Sequence, residues 1–74
     1  MVHQNTRKEA LNMKRIEIEG RTIYAIEFTS LEAAWELVNR SKKPQRIILG
    51  DAPTYWVVTP ADAERLIRAG YEMA

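Results

Sequence analysis

Cysteine is absent from this 74-residue chain, which excludes disulfide bonds and thiolate metal sites. Small secreted domains usually need such cross-links because their hydrophobic cores are small. We therefore expect a reducing compartment and predict a cytoplasmic protein. No apolar run approaches the roughly 20 residues that a membrane helix needs. The N-terminal residues also lack the apolar segment of a signal peptide.

A charge imbalance is absent as well. The chain contains eleven lysines and arginines and ten aspartates and glutamates, so the formal net charge is +1. A balance this close gives no global attraction to nucleic acid or anionic lipid. The length fits one domain, and such a short chain buries only about 60% of the surface that its unfolded form exposes.

Residues suited to catalysis are scarce. The single histidine, His3, lies in a polar N-terminal segment, where we expect a solvated tail residue rather than a base held beside a serine. The three glycines fall at separate predicted turns and caps, so none forms a phosphate-binding loop. Glu17 and Glu19 share a strand face without an imidazole or thiolate beside them, which is typical of a solvated surface. The sequence therefore predicts no enzymatic activity, no metal and no cofactor.

The chain divides into a tail and one patterned domain. Residues 1–12 are mostly polar and are predicted to be a mobile tail, whereas residues 13–74 form a single α+β domain. Met13 begins this domain and is a candidate translation start. The alternation that follows predicts a hairpin as far as Phe28.

The register of this hairpin stays open in the sequence. A two-residue turn at Gly20-Arg21 places Ile18 opposite Ile23, whereas a three-residue loop places Ile18 opposite Thr22. Because side chains alternate between faces, the two registers are mutually exclusive.

Two helices are predicted from their start signals. Thr29-Ser30-Leu31-Glu32 fits a capping box, and Thr59-Pro60-Ala61-Asp62 places threonine at the N-cap and proline at the first helical position. Gly70 and Tyr71 suit the glycine cap and the hydrophobic contact that commonly end a helix. The apolar stripes follow helical spacing, and their residues are Leu31, Ala34, Trp35 and Val38 in the first helix and Ala63, Leu66 and Ile67 in the second.

Residues 13–40 and 45–74 share this hairpin–helix pattern. An internal duplication is one interpretation, and chance similarity of helix-start chemistry is the other. We predict the order β-β-α-β-β-α, with one mainly antiparallel four-stranded sheet and both helices on one face. The strand order stays open.

Aligning the two halves predicts which residues face the helices. The strand residues expected to face inward are Ile26, Phe28, Trp56 and Val58, and Trp35 is expected in the core because a buried aromatic contributes much apolar area. The opposite face would then be open and apolar, and its residues would be Ile23, Ala25, Ile48, Tyr55 and Val57. A patch of this kind predicts an interface with a second copy of the chain or with an unidentified protein partner.

A basic connector joins the halves. Its four cations lie in residues 40–46 without an acid among them, and they are Arg40, Lys42, Lys43 and Arg46. They are candidate phosphate contacts, with Tyr55 available to stack on a base. Against this alternative, nucleic-acid-binding proteins usually carry a wider basic surface. The leading hypothesis is a small cytoplasmic protein-interaction or homodimerisation module without catalytic activity, and a nucleic-acid-binding module is the alternative.

Overall fold

The computed structural model describes residues 12–51 and 53–74. Seven elements follow one another: β1 (Asn12–Ile18), β2 (Arg21–Phe28), α1 (Leu31–Arg40), β3 (Arg46–Leu49), β4 (Tyr55–Val58), α2 (Pro60–Arg68) and β5 (Glu72–Met73). The α+β class is confirmed, and a fifth strand follows the six predicted elements. The predicted tail lies outside the described residues, except for Asn12, which begins β1. Neither described helix has the length and apolarity needed to cross a membrane.

The five strands form one open antiparallel sheet in the order β1-β2-β4-β3-β5. The expectation of four strands is therefore wrong. After α2 the chain reverses direction and forms β5, which pairs with β3 and places Met73 opposite Ile48. This short strand occupies one edge of the sheet, and β1 occupies the other.

The first hairpin turns at Glu19 and Gly20, which have φ values of +51° and +78°. Two consecutive positive φ values define the type I′ turn, whose twist matches that of the flanking strands. Ile18 consequently lies opposite Arg21. Both registers considered from the sequence are wrong, because Glu19 accepts the left-handed conformation and the turn begins one residue earlier than Gly20.

Side-chain hydroxyls cap both helices. Thr59 is the N-cap of α2, as predicted, and its Oγ1 accepts a hydrogen bond of 3.2 Å from the Asp62 N–H. The N-cap of α1 is Ser30 rather than Thr29, with its Oγ accepting from the Ala33 N–H at 3.2 Å. Each hydroxyl satisfies one of the amide groups that the first helical turn leaves without a partner.

The end of α2 confirms the predicted glycine cap. Gly70 has a φ of +110°, and its N–H donates to the Ile67 carbonyl at 3.0 Å. The Tyr71 N–H donates to the Leu66 carbonyl at 3.0 Å, which completes a Schellman motif. The Tyr71 ring then packs against Trp56, with 5.2 Å between ring centroids.

The two helices cover opposite faces of the sheet, so the prediction that both lie on one face is wrong. The α2 face carries a cluster of buried residues, namely Ile16, Ile23, Ala25, Ile48, Trp56, Val58, Ala63 and Leu66. The α1 face carries the buried Ala34, Ile47 and Val57, with half-buried neighbours that include Ile26 and Phe28.

A one-residue offset between the halves explains this arrangement. Each half presents the predicted residues to its own helix, Phe28 to α1 and Val58 to α2. When the two helix starts are aligned, Ile26 corresponds to Trp56. In the sheet, however, β2 and β4 pair with Ile26 opposite Val57, one residue away. Because side chains alternate with period two, an offset of one residue exchanges the faces.

Candidate functional site

The five residues of the predicted interface do not form an open face. Ile23, Ala25 and Ile48 are at most 1% exposed and belong to the α2 face. Val57 is 2% exposed, and Tyr55 is half-buried with it on the α1 face. The expected apolar patch is thus corrected, because the back of each hairpin is covered by the helix of the other half.

Trp35 is 48% exposed, so the expectation that it belongs to the core is wrong. The helix α1 contacts the sheet through the buried Ala34 and the half-buried Leu37 and Val38. This stripe is rotated from the predicted one, which ran through Leu31 and Trp35. Both of those side chains are left at the margin of the helix, in contact with solvent.

Trp35 stands at the side of a groove between α1 and the β3–β5 edge, which we call the Trp35 groove. Its volume is about 260 Å³, and its lining includes Trp35, Val38, Gln45, Arg46, Ile47 and Met73. Pockets that hold drug-sized ligands are usually larger, about 300–1,000 Å³. The groove therefore suits a single ring or one branched side chain rather than a whole cofactor.

Gln45 lines the groove and also contains a buried side-chain oxygen. Its side-chain Oε1 is buried and has no hydrogen-bond partner among the described residues. Leaving a buried polar atom without a partner costs about 1–3 kcal/mol. This oxygen is closed off from solvent, so the groove does not present it to a ligand.

The basic connector borders the same groove. Arg40, Lys42, Lys43 and Arg46 are all exposed. Within the described part of the chain, both ion pairs lie inside α2, so these four cations have no carboxylate within 4.0 Å. Ser41 forms two hydrogen bonds within the connector. Its Oγ accepts from the Lys43 N–H at 3.3 Å and donates to the Lys43 carbonyl at 3.0 Å. The connector thus offers its charges to solvent beside Gln45.

Tyr55 does not join the connector, contrary to the nucleic-acid hypothesis. It lies opposite Leu49 at one end of the β3–β4 ladder, whereas Arg46 lies opposite Val58 at the other end. Trp35 is the aromatic residue that the fold brings to the groove beside Arg46. Sequence reasoning missed it because its spacing also fits an apolar stripe.

No protein-family model, curated protein or solved structure matches this chain.

The glutamates are distributed over both faces. Glu27 lies on the α2 face, where its Oε2 accepts a hydrogen bond of 3.0 Å from Trp56 Nε1. Glu17 lies on the other face and accepts from Thr22 Oγ1 at 2.9 Å. Residues 12–51 and 53–74 bring together no group of three histidines, cysteines or carboxylates with metal-binding geometry. His3 lies outside the described residues.

Proposed function

We propose that this protein is a small non-catalytic interaction module whose Trp35 groove binds a short acidic segment of a partner protein. One apolar or aromatic side chain of that segment enters the groove, and its carboxylates meet the basic connector. The observation that carries this proposal is the half-exposed Trp35 in one groove with Arg46, the last of four connector cations that have no carboxylate within 4.0 Å among the described residues.

The composition of the groove supports an anchored contact. Tryptophan and arginine are enriched among the residues that dominate binding energy at protein interfaces. Such residues act at an apolar centre surrounded by a polar rim. Here Trp35, Val38 and Ile47 supply the apolar surface, and the connector supplies the rim.

The charge around the groove favours a compact acidic partner over a polyanion. The connector contributes four of the eleven lysines and arginines, and the whole chain carries a net charge of only +1. The exposed Glu36 and Glu72 are chain neighbours of two groove residues, Trp35 and Met73. A long phosphate backbone would meet these carboxylates, whereas a short peptide needs only the local charge.

Single-stranded nucleic acid is the second candidate, and one observation favours it. An exposed aromatic ring beside arginine and lysine can stack on one base while the cations contact neighbouring phosphates. Trp35 and Arg46 line the same groove, and the connector lysines precede Arg46 by three and four residues in the chain.

Fluorescence anisotropy can separate the two candidates. The probes are a labelled peptide of aspartates and glutamates around one phenylalanine, the same peptide with serine at the centre, and a labelled oligothymidylate. We expect the phenylalanine peptide to bind more tightly than the other two. Trp35→Ala should weaken its binding about tenfold or more.

Matched variants test the role of charge. Arg46→Gln should weaken peptide binding, whereas Arg21→Gln, which removes an exposed arginine at the far hairpin, should not. Preference for the oligothymidylate would replace the first candidate with the second. If neither probe binds at low ionic strength, the groove is not a site for either ligand.

A further inference from the structure

The strand β1 forms a long edge of the sheet. It has seven residues and, among the described residues, pairs only with β2. An unpaired edge presents a row of backbone N–H and C=O groups that can pair with another strand. The opposite edge is formed by β5, which has only two residues.

The type I′ turn determines which backbone groups of β1 point outward. In a two-residue hairpin, the residues that flank the turn are a hydrogen-bonded pair, and here these are Ile18 and Arg21. Hydrogen-bonded and non-hydrogen-bonded pairs alternate along an antiparallel ladder. The groups of Met13, Arg15 and Glu17 therefore point away from β2.

The charges at these outward positions are self-complementary. If a second β1 lies antiparallel with Ile16 opposite Ile16, Arg15 of each copy lies opposite Glu17 of the other. Both pairs are then hydrogen-bonded pairs, which gives four backbone hydrogen bonds across the axis. Opposite charges directly across a ladder are stabilising.

Neighbouring registers lack this match. A shift of two residues places Arg15 opposite Arg15 in one direction and Glu17 opposite Glu17 in the other, and like charges directly opposite each other are destabilising. A shift of one residue places outward-pointing backbone groups opposite inward-pointing ones and reverses the faces. The charge pattern therefore selects one register.

We propose that the protein forms a symmetric homodimer by antiparallel pairing of β1 with β1 of a second copy, centred on Ile16. The contact uses the same surface on both copies, as a twofold axis requires, and joins two five-stranded sheets into one. Met13 and Tyr24 lie on the face that carries Arg15 and Glu17, and they are 63% and 58% exposed. The proposal does not depend on the Trp35 groove, which lies beside the opposite edge.

Charge reversal tests both the interface and its register. Arg15→Glu and Glu17→Arg should each weaken dimerisation about tenfold or more, because two attractive pairs become repulsive. An equimolar mixture of the two variants should form a heterodimer, and the double variant Arg15→Glu/Glu17→Arg should dimerise again. Glu72→Arg reverses a glutamate on the other edge strand and should leave dimerisation unchanged.

Sedimentation over a range of protein concentrations measures the mass, and circular dichroism checks that each variant is folded. Restored dimerisation of the double variant also separates loss of the interface from loss of the fold. A dimer that survives both single reversals would place the interface elsewhere. A monomer at hundreds of micromolar, roughly the range where a weak contact should still associate, would overturn the proposal.

Amide hydrogen exchange locates the contact. The Arg15 and Glu17 amides should become protected as protein concentration rises, while the Ile16 amide, which points toward β2, should change little. Fast exchange at Arg15 and Glu17 in all samples would contradict pairing at this edge. Protection that is independent of concentration would show that the same chain covers the edge, and it would overturn the dimer as well.

Discussion

The two faces of the sheet differ in how completely they are covered. Among the described residues, the core between the sheet and α2 holds eight buried residues, including Trp56 at 1% exposure, whereas the core between the sheet and α1 holds three. Trp35 and Tyr24 remain about half exposed on the α1 side. The α2 face is therefore expected to supply most of the stability, while the α1 face leaves apolar side chains available for contacts with other molecules.

Replacing each tryptophan separately by alanine should give the largest difference in the free energy of unfolding between the two faces. Trp56→Ala should reduce the free energy of unfolding by about 3–5 kcal/mol, because it leaves a cavity in the core. A domain of this length has a total stability of about 4–11 kcal/mol, so this variant should be close to unfolded. Trp35→Ala should cost about 1 kcal/mol or less. Urea unfolding measures both variants, and equal costs would contradict the difference between the faces.

Gly50→Ala should produce an intermediate effect through the same α2 face. A Cβ atom at this position would overlap the indole ring of Trp56. Overpacking of this kind usually costs about 1–3 kcal/mol. The cost should be smaller in a Trp56→Phe background, which removes the second ring of the indole. A cost that is the same in both backgrounds, measured by urea unfolding, would place the effect outside this contact.

The smallest expected effect on stability comes from removing a helix cap, and it distinguishes the two helices. Ser30→Ala removes the hydrogen bond to the Ala33 N–H and should cost about 1 kcal/mol. Because α1 covers the less buried face, we expect its amides to exchange faster than those of α2 in the unmodified protein. Ser30→Ala should accelerate exchange in α1 and leave α2 nearly unchanged below the temperature of global unfolding. Equal acceleration in both helices would mean that they open together.

The sequence predicted the features that depend on a few adjacent residues. The α2 start at Thr59 and its end at Gly70 and Tyr71 were found because the capping hydrogen bonds lie within one or two turns. The pairing of Ile26 with Val57 could not be found in this way. It depends on how two distant hairpins pack together, and a shift of one residue is enough to exchange the faces.

The candidate site was predicted only in part. The cations of residues 40–46 are visible in the composition, but Trp35 satisfies the spacing of a buried stripe. Its exposure depends on the rotation of α1 over the sheet, which keeps the predicted Ala34 and Val38 inward but brings Leu37 to the sheet in place of Trp35. When apolar residues cover a wide arc of a helix, the sequence alone does not determine which of them face the sheet.

The junction between β2 and β4 also bears on the order of folding. Only three residue pairs join these strands, and the partners lie roughly 30 residues apart in the chain. Both hairpins can form from contacts that are local in the chain. The β2–β4 junction is non-local, so the entropy cost of closing the segment between these strands must be met before it forms. We therefore expect the transition state for folding to contain this junction, with the hydrogen bond from Trp56 to Glu27 among its contacts. Substitutions at Glu27 would then slow folding more than they speed unfolding.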